Sequence, residues 1–115
     1  MAPLPLSTEE RRHIEAAKTY ILNNLNKSLT VQEVAAQVGI LPYQLKNGFL
    51  RLYQMPMVRY VYEARMQTAA ILLRHTNRSV KDIAITLGYS TTQNFSRQFK
   101  KYFKGSPVQY RKQHR

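Results

Sequence analysis

Polar side chains recur at helical spacing in a stretch near the C-terminal end of the chain. They are Thr92, Gln93, Ser96 and Arg97. Residues three and four positions apart share one face of a helix, so one side of this stretch would present hydroxyl, amide and guanidinium groups together. An amide can pair with adenine, a guanidinium with guanine, and a hydroxyl can bond to either base edge. We therefore predict that these four side chains read nucleic-acid bases.

The same stretch is aromatic on its other side and basic toward its end. Phe95, Phe99 and Tyr102 share one side of a helical wheel, which we expect to face the core. Three lysines follow the polar set, at Lys100, Lys101 and Lys104. A recognition helix meets base edges with its N-terminal residues, so later basic residues lie where the helix leaves the groove. We predict that these lysines contact DNA phosphates.

The arrangement occurs twice in the chain, which indicates an internal repeat. The stretch "TVQEVAAQVG" at residues 30–39 matches "SVKDIAITLG" at residues 79–88. The residues that follow match at an offset of 50, which pairs Phe49 with Phe99 and Tyr60 with Tyr110. Each copy reads as a short helix, a turn with a glycine and a longer helix, which is the pattern of a helix-turn-helix.

The first copy carries its own candidate readers at the positions that match the second. They are Tyr43, Lys46 and Asn47. Lys46 and Asn47 can bond to base edges, and Tyr43 could pack on a thymine methyl group or a sugar.

Apolar periodicity and capping residues predict an all-α fold of about seven helices. The predicted helices cover residues 9–24, 31–38, 42–53, 56–74, 80–87 and 91–103, with a short one that begins at Ser106-Pro107. Ser7 or Thr8 would cap the first, and Ser90 with Gln93 would form a capping box before the sixth. The buried stripe of the 56–74 helix would be Val58, Val61, Arg65, Ala69 and Leu72, with Leu73 beside it. We expect Arg65 either to pair with an acid such as Glu63 or Glu33, or to reach a phosphate or a partner helix.

The net charge of the 115-residue chain, +12, favours a polyanionic partner. Residues 61–115 hold 11 of the 18 Lys and Arg residues but only 2 of the 6 Asp and Glu residues. The chain has no cysteine, which excludes disulfides and thiol chemistry and fits a reducing compartment. The three histidines share no local spacing, so we expect no metal, cofactor or catalytic site. We also expect no secretion signal and no membrane-spanning run, and hence a cytoplasmic protein.

Five stretches resemble the DNA-binding domain of the AraC family of bacterial transcription regulators. They are "VAAQVG", "LKNGFLRLY", "YVYEARMQTAAILL", "SVKDIAITLGYS" and "NFSRQFKKYFKGSPVQYRK", within residues 28–112, about three quarters of the chain. The resemblance implies two helix-turn-helix subdomains joined by a long linker helix. With it we expect a flexible N-terminal arm (1–8), a first subdomain (9–55), the linker helix (56–74) and a second subdomain with a basic tail (75–115).

The resemblance also implies a function. It implies sequence-specific binding to double-stranded promoter DNA, with the two recognition helices in successive major grooves, and activation or repression through RNA polymerase. We expect no small-molecule site within this chain, a monomer as an isolated domain, and either a stand-alone regulator or part of a longer one.

Three residues depart from the family pattern, all in the first copy. Leu41 stands where a Ser or Thr cap is usual, Gly48 lies mid-helix, and Gln54 replaces a common turn glycine. The first two should each cost the helix about 1 kcal/mol or less.

Two other classes of function compete with the first. A repair enzyme that carries such a domain needs a reactive cysteine, which this chain lacks, so we predict that it is not an enzyme. The alternative is a basic helical module for RNA, a membrane surface or protein partners. An amphipathic membrane helix would expose its aromatic face, whereas these aromatics recur at matching positions in both copies, as core residues do.

Overall fold

The computed structural model describes residues 5–115, and all regular secondary structure in that range is α-helical. The helices are α1 (Thr8–Asn23), α2 (Val31–Val38), α3 (Pro42–Tyr53), α4 (Met57–His75), α5 (Val80–Thr86), α6 (Thr92–Phe103) and α7 (Pro107–Gln113). The predicted all-α fold is therefore confirmed, and the ends of α1 to α6 lie within two residues of the predicted ones. Residues 1–4 of the predicted arm lie outside the described residues.

The chain forms two compact units. Unit 1 contains the described residues up to Asn24 together with Ser28–Tyr62, and unit 2 contains Leu25–Lys27 and Glu63–Arg115. The division falls within α4, whose first turns belong to unit 1 and whose remainder belongs to unit 2. Each unit therefore contains one copy of the repeat.

Side-chain caps begin most of the helices. Ser7 and Glu10 form a reciprocal capping box at α1, where Oγ of Ser7 accepts from the Glu10 amide at 3.1 Å and Oε1 of Glu10 accepts from the Ser7 amide at 3.0 Å. These hydrogen bonds lower the pKa of Glu10. Thr30, Ser79 and Ser106 cap α2, α5 and α7. Each cap satisfies an amide at the start of a helix that has no partner within it.

Unit 1 has a core in which α1, α2 and α3 pack on one another. Its buried residues include Ile14, Ala17, Ile21, Val34, Ala35, Leu45 and Phe49. Gly48 of α3 is buried, and a Cβ atom there would lie 2.7 Å from Cδ1 and 2.9 Å from Cγ1 of Ile14. Gly48 therefore has a packing role besides its predicted cost to the helix, because the missing side chain lets Ile14 pack against α3.

Unit 2 has a matching core with Ile83, Ala84, Leu87, Phe95 and Phe99 fully or almost fully buried. The repeat extends to ring packing. The Phe49 and Tyr60 centroids lie 5.3 Å apart in unit 1, and those of Phe99 and Tyr110 lie 5.4 Å apart in unit 2. Residues matched at an offset of 50 in the sequence thus occupy matching places in the two cores.

Arg65 has a structural role, but its acceptors are not the predicted carboxylates. Its Nε donates to the Leu25 carbonyl at 3.2 Å and its Nη2 donates to the Lys27 carbonyl at 2.7 Å, all within unit 2. Burial lowers the pKa of this guanidinium. Gly88 lies beside this hydrogen-bonded pair: a Cβ atom there would be 2.9 Å from the Leu25 carbonyl oxygen and 3.1 Å from Nη2 of Arg65. Its φ of 84° also favours glycine.

The buried stripe of α4 differs from the predicted one. Val58 is 67% exposed, whereas Met57 and Met66 are 2% and 0% exposed. Val61, Ala69, Ala70 and Leu73 complete the buried set. The predicted stripe contains no methionine, although methionine fills irregular core space equally well. Arg65 and Leu72 of the predicted stripe are only half-buried. No helix among the described residues is long and apolar enough to cross a membrane.

Candidate nucleic-acid interface

Helix α6 has the two-sided character that its sequence predicted. Phe95 and Phe99 are completely buried, whereas Gln93 and Arg97 are exposed on the other side. Thr92 and Ser96 are half-buried, at the border between the two sides. Helical spacing thus brings the four predicted base-reading residues of α6 to one solvent-accessible surface, with the two hydroxyls less accessible than the amide and the guanidinium.

The cap of α6 lies one residue later than predicted. Thr91, with extended backbone angles, accepts a hydrogen bond through Oγ1 from the Asn94 amide at 3.0 Å. The predicted capping box of Ser90 with Gln93 is therefore wrong. Ser90 and Thr91 are both good caps by residue type, so only the backbone conformation decides between them.

Arg97 makes a hydrogen bond within α6. Its Nη2 donates to Oδ1 of Asn94, one turn earlier, at 2.9 Å. A guanidinium has five N–H donors, so this bond leaves donors available for a ligand. Asn94 was not among the predicted site residues, although its spacing of three residues before Arg97 was a signal that could have indicated it.

The three predicted phosphate ligands lie at the C-terminal end of α6 and are all exposed. Lys100 and Lys101 belong to its last turn. Lys104 has a left-handed conformation with φ of 65°, and its amide donates to the Lys100 carbonyl at 2.8 Å to close the helix. Basic residues near a helix C-terminus are also stabilised by the helix dipole, so their position serves the helix as well as a ligand.

In unit 1, α3 exposes its predicted readers. Tyr43 is 63% exposed, Lys46 and Asn47 are exposed, and Leu45 and Phe49 are buried on the other side. Tyr43 and Lys46 line a groove of about 680 Å³. The rest of its lining, which is mostly apolar, includes Leu29, Val31, Pro42, Pro56, Met57 and Val58.

Leu41 begins α3 without a side-chain acceptor, as the sequence indicated. The other half of a capping arrangement is present, because Oε1 of Gln44 accepts from the Leu41 amide at 2.9 Å. Gln54 takes the left-handed conformation of the usual glycine, with φ of 60°, and its side chain donates to the Arg51 carbonyl at 3.1 Å. These two hydrogen bonds satisfy polar groups at the ends of α3 and so offset part of the stability that α3 loses through its departures from the family pattern.

One further basic residue of α3, Arg51, lies at a position that matches the predicted phosphate ligands of α6 and was not among the predicted site residues. Arg51 matches Lys101 at the offset of 50, whereas Leu50, which matches Lys100 and is 49% exposed, has no donor for a phosphate. The match between the two copies is the signal in the sequence that indicates Arg51.

The last acidic residue of the chain is engaged by a neighbouring arginine. Oδ2 of Asp82 accepts from Nε of Arg78 at 2.6 Å, and this hydrogen bond lowers the pKa of the carboxyl group. No acidic residue follows Asp82, so α6 and α7 contain only basic charges. A positively charged surface of this kind attracts a polyanion at long range.

Comparisons with known proteins show which proteins this chain is similar to. A family model described as a helix-turn-helix domain matches residues 34–113. The regulatory protein SoxS of Salmonella typhimurium is 32% identical over 98 residues, which cover 85% of this chain and 92% of SoxS. The melibiose operon regulatory protein of Escherichia coli is 34% identical over 93 residues, which cover 81% of this chain.

The chain spans only 31% of that melibiose regulator, whereas it spans nearly all of SoxS. Among solved structures, an AraC-type DNA-binding transcriptional regulator from Chromobacterium violaceum superposes with a TM-score of 0.81 at 24% identity, covering 94% of this chain and 96% of that one. This likeness shows the fold. The relatives are named as regulatory proteins, and the alternative of a basic helical module for RNA, a membrane surface or protein partners is not favoured.

Proposed function

Because the chain belongs to the AraC family of helix-turn-helix transcription regulators, we propose that its two recognition helices, α3 and α6, read one promoter site together. Sequence-specific DNA binding and transcription regulation are the activities of this family. The observation that carries the proposal is the duplication, because both copies bury matching aromatic residues and expose different polar ones. The bacterial cytoplasm, where such DNA lies, is the proposed place of action.

In unit 2 the proposed base readers are Thr92, Gln93, Ser96 and Arg97. Gln93 and Arg97 are the exposed members, and their amide and guanidinium groups suit adenine and guanine edges respectively. Lys100, Lys101 and Lys104 are the proposed phosphate ligands. Their exposure and the absence of any acidic residue after Asp82 support that assignment.

In unit 1 the proposed readers are Tyr43, Lys46 and Asn47. The groove beside Tyr43 has an apolar lining that includes Val31 and Val58, which suits contact with a thymine methyl group. Lys46 lines the same groove and supplies a donor for an adjacent acceptor. The two units therefore present different chemistry, so we expect the two sub-sites to have different sequences.

Selection of binding sites from random duplex DNA tests this function. We expect one strongly preferred, non-palindromic site with two sub-sites about 10–10.5 base pairs apart, since successive major grooves repeat at that spacing. Footprinting should show two protected major-groove segments on one face of the duplex, bound by one copy of a domain that sediments as a monomer without DNA. A palindromic optimum, or protection of a single groove segment, would reject the two-helix arrangement.

RNA polymerase is the proposed protein partner, since relatives of this chain regulate transcription. Transcription by purified polymerase from a template that carries the selected site is the measurement. A transcript level that does not change when the domain is added would remove this partner while leaving DNA binding intact.

A further inference from the structure

Asn94 occupies the third position of α6, one turn before Arg97. Its own amide is held by the Thr91 cap at 3.0 Å, and its side-chain oxygen accepts from Nη2 of Arg97 at 2.9 Å. Asn94 is half-buried, whereas Arg97 is exposed. The more buried side chain thus holds the more exposed one through this hydrogen bond. Since Arg97 lies among the proposed base readers, we propose that Asn94 is a positioning residue that orients the Arg97 guanidinium for its base.

The physical reason is the flexibility of arginine. A guanidinium that pairs with guanine must present two N–H groups in the plane of the base, and a free arginine side chain samples many rotamers. Fixing one N–H on Asn94 reduces the conformational entropy that binding would otherwise remove. The acceptor is a neutral amide, so the positive charge of Arg97 remains available to DNA.

The first copy of the repeat does not have this device. There the residue that matches Asn94 is Gln44, whose oxygen accepts from the Leu41 amide because Leu41 has no side-chain acceptor of its own. In the second copy Thr91 performs the capping through its hydroxyl group. The Asn94 side chain is therefore free of the capping role that Gln44 has, and it bonds to Arg97 instead.

The proposal rests on the proposed reading role of Arg97, and one set of variants tests both. Affinities of the wild type, Asn94→Ala, Arg97→Ala and the double variant are measured on the selected duplex and on duplexes changed at the base whose preference Arg97→Ala relaxes. We expect Asn94→Ala to weaken binding to the preferred duplex about 3- to 10-fold, the range for immobilising one long side chain. Binding to the changed duplexes should move less than about twofold, and Asn94→Ala should add no loss in the Arg97→Ala background.

Two controls separate positioning from support of the helix. Asn94→Asp keeps an acceptor at the same place, so it should retain the base preference even where its charge weakens binding to all duplexes. Gln44→Ala removes the matching side chain of α3 and should leave the preference at the Arg97 base unchanged. Thermal unfolding followed by circular dichroism checks that each variant folds.

Each other outcome is decisive. An equal loss on all duplexes, or a loss that persists in the Arg97→Ala background, would overturn the positioning role. A relaxed preference at a different base would mean that Asn94 reads a base itself, which also overturns it. If Arg97→Ala relaxes no position, the reading role of Arg97 fails first, and the positioning role fails with it.

Discussion

Replacing Phe99 with alanine should destabilise unit 2 by about 3–5 kcal/mol, the usual cost of removing a buried phenylalanine ring. Phe99 is completely buried, and its ring centroid lies 5.9 Å from that of Phe95, 4.6 Å from that of Phe103 and 5.4 Å from that of Tyr110. At about 0.05–0.15 kcal/mol per residue, a unit of roughly half this chain has about 3–8 kcal/mol of stability in total. The substitution should therefore unfold unit 2 partly or fully at 37 °C.

Denaturant unfolding followed by circular dichroism measures the effect. The matched control is Lys100→Ala, which changes the next residue along α6 but removes an exposed side chain. It should alter the free energy of unfolding by less than about 0.5 kcal/mol. Phe49→Ala, at the matching place in unit 1, should cost as much as Phe99→Ala. A cost below about 1 kcal/mol for Phe99→Ala would contradict the packing described for α6 and α7.

Replacing Arg97 with alanine should weaken binding to the preferred DNA site by about 1–3 kcal/mol and relax the preference at one base position. The side chain is exposed and contributes no buried surface to the core, so folding should survive. Only its hydrogen bond to Asn94 is lost within the protein, and that bond lies on the surface of α6. Binding to matched specific and scrambled duplexes at several salt concentrations is the measurement.

Lys100→Ala is the contrasting variant for DNA binding. A lysine that contacts a phosphate should, when removed, weaken binding to all sequences alike and reduce the salt dependence of log K by about one unit. Lys101→Ala should do the same only if that residue also reaches a phosphate, since it lies 100° further round the helix. If Arg97→Ala lowers affinity for specific and scrambled duplexes equally, Arg97 is a phosphate ligand and not a base reader.

The sequence by itself determined the helices and the duplication. Each helix has a signal in its own sequence, such as the apolar spacing of Ile14, Ala17 and Ile21 in α1. These signals predict the helices correctly because capping and apolar periodicity involve residues only a few positions apart. The sequence also matched Phe49 with Phe99 and Tyr60 with Tyr110, and the structure shows that each pair of rings packs in the same way. Equivalent residues in two copies of one motif have equivalent neighbours.

Only the tertiary structure decided the contacts between residues far apart in the sequence. It also decided which of two adjacent residues of similar type caps a helix. Gly48 has a packing role only because Ile14 of another helix occupies the space beside it. Arg65 bonds to the carbonyls of Leu25 and Lys27, about 40 residues away in the chain, and no local pattern identifies a carbonyl acceptor. Thr91 and not Ser90 caps α6, and the residue types alone do not distinguish two adjacent hydroxyl residues; the backbone angles do. Because Thr91 is the cap, the Asn94 side chain is free to bond to Arg97.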